Sequence, residues 1–236
     1  MKIKKYVGYL LKYFNVEVKK YRSIENAEAL KSNIDERMAP SSFDLYHLQS
    51  YANKIPGMIS IEAGSYLYTL VASQNKIEGD VIEIGSWQGR STIFIAAAMK
   101  LNPNGQFFAI DHFKGNVGKE KAYFVNGQDI EKSLIANIGR INLEEYVNII
   151  NDTSENAIKS NFTNKIRFLF IDGDHTYQGV KTDIELFEKF LQKGSIVVFD
   201  DYSPGFKGVV DAAREFVNRN KGCIYYNYKN TLVVML

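Results

Sequence analysis

The chain has 236 residues, 45% of them hydrophobic, 24% charged and 13% aromatic, which supplies a sizeable core and excludes a collagen-like, low-complexity or largely disordered protein. The net charge of +2 is too small to point to nucleic acid as a partner. The single cysteine, Cys223, excludes an intramolecular disulfide framework and makes a reducing cytoplasm the default compartment.

The charge is concentrated at the start. Residues 1–22 hold seven basic groups and one acid, Glu17, for a net +6, leaving −4 on residues 23–236. Ile3, Val7, Leu10, Phe14, Val18 and Tyr21 recur at steps of three or four, the period of one helix face. Such a basic amphipathic helix either docks on its own domain or a sister subunit, or lies on an anionic membrane surface. The aromatic residues of this segment favour self-association into a homo-oligomer. Lys12 ends the apolar run too early for a signal peptide, and no stretch approaches the roughly 18–20 apolar residues of a transmembrane helix. Residues 1–56 read as a helical N-terminal extension with a break at Pro40-Ser41-Ser42, and residues 57–236 as one domain.

Within that domain a helical pattern from Ile59 stops near Glu78-Gly79. Short apolar runs then alternate with helical patterns: strand Val81–Ile84, helix Ser91–Leu101, strand Phe107–Ile110, a glycine-containing loop, helix Ile130–Ile138, strand Val147–Ile150 and a short helix after Ser154. Strand Phe168–Ile171, helix Val180–Leu191, strand Ile196–Phe199 and helix Val209–Val217 complete the alternation. Regular strand–helix alternation predicts parallel βαβ units in a doubly wound α/β sheet. The tail departs from it. Ile224–Tyr226 and Leu232–Met235 are separated only by a turn at Lys229-Asn230, which predicts a hairpin with one antiparallel strand.

Ligands of open α/β sheets bind outside the carboxyl ends of the strands, and here those ends are acidic. Glu83-Ile84-Gly85-Ser86-Trp87-Gln88-Gly89-Arg90-Ser91 leads from strand into helix. Gly85 and Gly89 permit a tight turn close to a ligand, but the dinucleotide fingerprint is broken by Trp87 and Arg90. Trp87 either covers a cofactor or fills a gap beneath the loop. Asp111 ends the second strand, where an acid accepts both hydroxyls of a ribose; His112 beside it either lines a cofactor pocket or faces solvent. Asn151-Asp152-Thr153 follows the third strand and offers either an adenine contact or a helix cap. Ile171-Asp172-Gly173-Asp174-His175 and Phe199-Asp200-Asp201-Tyr202 follow neighbouring strands. Like charges so close raise one another's pKa unless a positive group sits among them, and a hard divalent cation such as Mg²⁺ answers that need. The loop Lys114–Lys119 reads as either a mobile lid or a solvated connection.

Together VIEIGSWQGRST, FFAIDHF, IINDTSENA, FLFIDGDHTYQGVKTDI and GSIVVFDDY resemble class I S-adenosylmethionine-dependent methyltransferases. They are most similar to the metal-dependent small-molecule O-methyltransferases that act on sugar hydroxyls. The resemblance covers about residues 58–236. It implies a Rossmann-like seven-stranded sheet of order 3-2-1-4-5-7-6 with the last strand antiparallel. It places Glu83, Gly85 and Gly89 around the methionine part of S-adenosylmethionine, Asp111 at its ribose, Asp152 and Thr153 at its adenine, with Ser86, Ser91, His112 and Asp172 also on the cofactor, and Asp172, Asp200 and Asp201 at the metal. Catechol-type relatives carry Asn in place of Asp201 and Lys in place of His175, a difference that favours a sugar-like acceptor. The resemblance implies a Mg²⁺-assisted methyl transfer to a small-molecule hydroxyl. His175 is the first choice of base because its ordinary pKa suits neutral pH, with Asp174 as the rival. The competing expectations are an NAD-dependent oxidoreductase and a silent cofactor-binding scaffold.

Overall fold

A computed structural model describes residues 45–114, 129–162 and 164–236. The expected amphipathic helix of residues 1–22, the break at Pro40 and the loop from Gly115 to Lys119 lie outside the described residues.

Among the described residues two helices come first, α1 (Leu45–Ala52) and α2 (Ile61–Ser73). Then follow β1 (Asp80–Ile84), α3 (Arg90–Leu101), β2 (Phe107–Asp111), α4 (Ile130–Gly139), β3 (Asn148–Asn151), α5 (Ser154–Asn161), β4 (Ile166–Ile171), α6 (Tyr177–Phe187), β5 (Leu191–Phe199), α7 (Lys207–Arg219), β6 (Ile224–Tyr228) and β7 (Thr231–Met235). The seven strands form one sheet in the order β3-β2-β1-β4-β5-β7-β6. β7 runs antiparallel to both β5 and β6, and the other pairs are parallel. The expected order and antiparallel last strand are both present.

Every residue of β1 and β4 is buried, as strands covered by helices on both faces require. Each of Phe168, Phe170, Phe199 and Phe216 is shielded from solvent, a burial that contributes roughly 1.5–3 kcal/mol per side chain. α3 is enclosed almost throughout, from Ser91 to Met99. The starts of α2, α4 and α6 are set by Ser60, Asp129 and Thr176, whose side chains accept the N–H of Ala63, Lys132 and Gly179 respectively. Residues 45–52, read from sequence as part of the extension, form a helix whose Leu48 and Ala52 are buried. Tyr51 Oη donates to the Asn137 carbonyl, so this helix belongs to the same compact unit as the sheet. Cys223, expected to be a buried small hydrophobe, is only half-buried at the edge of the core.

At the amino edge of the sheet sits Arg167, completely buried. Its guanidinium donates to the carbonyls of Val71, Gly79, Asn102 and Asn104, 2.9–3.2 Å away. Burial pushes its pKa down to about 10, with nearby Asp80 opposing the shift. The opposite, carboxyl edge carries the acids.

Candidate active site

The hydrogen-bond ladder continues beyond the strand ends and aligns their tips. Gly85 N–H donates to the Ile110 carbonyl, Asp172 N–H to that of Ile84, and Asp200 N–H to that of Ile171. Around these tips opens a cleft of about 800 Å³. Gly85 sits at φ +88°, and a Cβ added there would lie 2.0 Å from the Asp172 carbonyl oxygen. The first turn therefore has to be glycine, both for its left-handed backbone and for the approach of the Asp172 turn. Gly89 is also left-handed, at φ +90°, where it begins α3.

Gly85, Ser86, Ser91, Asp111, His112, Asp152, Thr153, Asp172, Asp174, His175 and Asp201 all line this cleft. Asp111 Oδ2 accepts the N–H groups of Ser86 (3.1 Å) and Trp87 (2.8 Å), and its Oδ1 accepts that of Phe113. The second-strand acid thus fixes the glycine turn as well as facing the cleft. Trp87 itself lines the cleft with φ +42°. Asp152 accepts from Thr153 N–H and Asn156 Nδ2, and these hydrogen bonds hold its carboxyl below the usual range. Thr153 occupies the position before α5 but its side chain caps nothing. His112 Nδ1 accepts the Lys114 N–H.

Glu83, Gly89 and Asp200 are not among the cleft residues; Gly89 is buried against Leu134 and Thr92. Glu83 is fully buried behind the turn, where it accepts from Thr92 Oγ1 at 2.7 Å. Burial raises its pKa to about 8, against the opposing pull of the Ser91 and Thr92 hydroxyls. Asp200 is 8% exposed. Burial, reinforced by the nearby carboxylates of Asp172 and Asp201, pushes its pKa to about 8. Among the described residues, the three groups whose ligating atoms lie within 4.8 Å of one another are instead Asp172, His175 and Asp201. His175 Nε2 is 3.3 Å from Asp201 Oδ2 and 3.8 Å from Asp172 Oδ1, and its ring meets Phe206 edge-on. Burial raises Asp172 to about 6, partly opposed by His175. The reason Asp201 rather than Asp200 faces the cleft is conformational: Asp201 has φ +51°, a left-handed step that swings the chain out of the strand and into the opening. Asp174 is committed locally, its two oxygens accepting the N–H and the hydroxyl of Thr176 ahead of α6.

Two charged side chains that line the cleft are not evident from motif reading. Arg90, the first residue of α3, donates to the carbonyls of Ile55, Gly57 and Ile59 and so holds the segment Gly57–Ile59 in the cleft lining. A cation in the first turn opposes the helix dipole, which is the signal that its side chain has another task. Asp183 lies on the apolar stripe Val180, Ile184 and Phe187 of α6. It accepts the Ser154 hydroxyl and, driven by burial, has a pKa near 7. An acid within a buried stripe is its signal.

The sequence profile described as a methyltransferase domain matches residues 82–202. An uncharacterized protein of Acanthamoeba polyphaga mimivirus is 32% identical over 126 residues, 51% of this chain and 50% of that protein, so the chain spans about half the length of this curated relative. Solved structures share the fold. The O-methyltransferase NovP superposes with a TM-score of 0.62 at 17% identity, covering 76% of this chain and 81% of its own. An O-methyltransferase from Bacillus cereus, solved with S-adenosylhomocysteine, gives 0.55 at 17% identity over 88% and 97%. A TDP-rhamnose 3'-O-methyltransferase of calicheamicin biosynthesis gives 0.52 at 20% identity over 73% and 76%. The sheet order is the class I one, and the matched profile runs from β1 to the residue after Asp201, just over half of the sequence; the chain belongs to the methyltransferase domain family.

Proposed function

We propose that the protein transfers the methyl group of S-adenosylmethionine to a hydroxyl of a small, sugar-like acceptor with the help of a divalent cation such as Mg²⁺. The observation that carries this reading is the single cleft that runs from the Gly85 turn past Asp111 and Asp152 to Asp172, His175 and Asp201. Gly85, Ser86 and Ser91 border the methionine end, and the left-handed Gly89 sets the helix start behind them. Asp111 serves the ribose, with His112 alongside, and Asp152 and Thr153 serve the adenine edge. Glu83 acts from beneath, buttressing the helix start through Thr92. The likeness to the TDP-rhamnose enzyme and the His175 and Asp201 departures from the catechol pattern both support a sugar.

The donor set fits a hard cation. Asp172 and Asp201 offer oxygens within 4.8 Å of the His175 nitrogen, and Asp200 adds a buried carboxyl whose raised pKa reflects burial and the repulsion of its acidic neighbours. When bound, the cation acidifies and orients an acceptor hydroxyl while S-adenosylmethionine supplies the electrophilic methyl. The left-handed Asp201 aims its carboxylate at the acceptor. Phe206 fixes the plane of the His175 ring. His175 Nε2 accepts the hydroxyl proton; Asp174, with both oxygens given to Thr176, shapes the start of α6 instead.

Isothermal titration with S-adenosylmethionine, followed by methyl-transfer assays on a sugar panel with Mg²⁺ or EDTA, tests the reading. Binding is expected without metal and transfer only with it. His175→Ala is expected to lose turnover at unchanged cofactor affinity, whereas Asp174→Asn retains it. Absence of S-adenosylmethionine binding overturns the proposal, and the reverse pattern in the two variants reassigns the base.

A further inference from the structure

A second depression, about 380 Å³ in volume, lies beside the cleft and is bordered by Tyr202, Arg214, Asn218, Tyr225, Asn227 and Leu232. It opens at the same edge of the sheet. Leu232 pairs in register with Phe199, the last residue of β5, and Tyr202 N–H donates to the Asn230 carbonyl in the β6–β7 turn. Tyr202 directly follows Asp201 in the chain. Its hydroxyl accepts from Arg214 Nε at 3.3 Å, so the Asp201–Tyr202 step joins a residue of the cleft to a residue of the depression.

The cations of α7 differ in how they are used. Lys207 pairs with Asp211, and Arg219 pairs with Glu188 and Glu215. Arg214, midway between them, forms no ion pair among the described residues and keeps an exposed guanidinium over the depression. Tyr225 on the edge strand β6 is 58% exposed, an uncovered ring on a soluble surface. Asn218 and Asn227 add amide donors. A planar, bidentate cation flanked by amides is chemistry suited to phosphate, and an open aromatic face is suited to stacking a base. One peptide step, the length of a tyrosine and the Tyr202–Arg214 hydrogen bond place Arg214 Nε within roughly 14 Å of the Asp201 Cα. A hexose joined to a diphosphate covers that span.

We infer that this depression holds the nucleoside diphosphate of a nucleotide-linked sugar acceptor, with Arg214 on the phosphates, the base against Tyr225 and the sugar reaching Asp201. The inference rests on the O-methyltransferase reading of the main cleft and specifies its acceptor. Neither Arg214 nor Tyr225 belongs to the cofactor or cation machinery, and both are exposed, so their truncation leaves the fold intact.

The test titrates the whole chain, in EDTA, with uridine diphosphate, thymidine diphosphate, uridine and inorganic pyrophosphate, and separately with S-adenosylmethionine. A diphosphate of uridine or thymidine is expected to bind, and to bind alongside S-adenosylmethionine rather than in competition with it. Arg214→Ala is expected to weaken that binding by about tenfold or more. Tyr225→Ala weakens it by about fivefold or more. Both variants keep wild-type affinity for S-adenosylmethionine. Unchanged nucleotide affinity in Arg214→Ala, competition with S-adenosylmethionine, or inorganic pyrophosphate binding as tightly as the nucleotides each overturns the inference. Loss of S-adenosylmethionine binding in the wild type is the separate failure of the underlying function.

Discussion

Glu83 is a buried acid that folding has to carry. In the unfolded chain it ionises near its ordinary value of 4.5, whereas in the fold burial raises it to about 8. Between those values the folded state holds a proton that the unfolded state has released, so stability falls as pH rises through this window. Stability from this group is complete below about 4.5, declines from there to about 8 and is flat above. At about 1.4 kcal/mol per pH unit the full span has a ceiling of about 5 kcal/mol. The interval from pH 6 to 8 accounts for about 2.5 kcal/mol of it. Glu83→Gln keeps an acceptor for Thr92 Oγ1 and cannot ionise. Its thermal midpoint, followed by calorimetry at pH 6, 7 and 8, should lose about 5–10 °C less than the wild type over that interval. Asp183 and Asp200 also titrate there in both proteins, so the difference between the curves reports Glu83 together with its electrostatic coupling to Asp172. Parallel curves would refute the assignment of Glu83 as a protonated buried carboxyl.

Three further substitutions test the cleft. Gly85→Ala places a methyl 2.0 Å from the Asp172 carbonyl oxygen at φ +88° and is expected to abolish S-adenosylmethionine binding in calorimetry while lowering the thermal midpoint; retained affinity contradicts the turn's role. Arg90→Lys preserves charge but not the fork that reaches Ile55, Gly57 and Ile59. It should raise the KM for S-adenosylmethionine about tenfold with little change in kcat, and make residues 55–59 more sensitive to limited proteolysis. Asp183→Ala, which leaves the buried Ser154 hydroxyl without its acceptor, should cost about 1–3 kcal/mol in denaturant unfolding, whereas Asp183→Asn should recover most of it.

The strand tips were legible because two local signals coincide there: continuous apolar runs that only a doubly covered parallel strand explains, and an acid or glycine directly after each. The antiparallel tail was equally readable, since the few residues around Lys229-Asn230 leave no room for a crossover helix. The division of labour among the acids was not. Asp200 and Asp201 are neighbours of one chemical type, and only the left-handed backbone at Asp201 decides which one faces the cleft. Asp174 and His175 differ for a similar reason: the Thr176 hydroxyl and N–H claim Asp174, while Phe206, more than thirty residues later, orients His175. Glu83 looked like a cleft residue because it precedes Gly85, yet strand alternation turns it inward onto Thr92. Arg90 was visible only as the residue that breaks a nucleotide fingerprint, because its carbonyl partners lie in an irregular segment without periodicity.

Arg167 has a consequence for the order in which the molecule comes together. Its four carbonyl partners belong to the segment from Val71 to Asn104, which is synthesised more than sixty residues before the arginine itself. Until β4 is inserted beside β1, the carbonyls of Gly79, Asn102 and Asn104 await the arginine, and packing that edge of the core without it would bury them unpaired at about 1–3 kcal/mol each. The first two strands and their helices are therefore not a self-sufficient folding unit. A nascent chain released before Arg167 should remain protease-sensitive, and the half of the sheet that builds the cofactor turn becomes rigid only when the half that carries Asp172 closes against it.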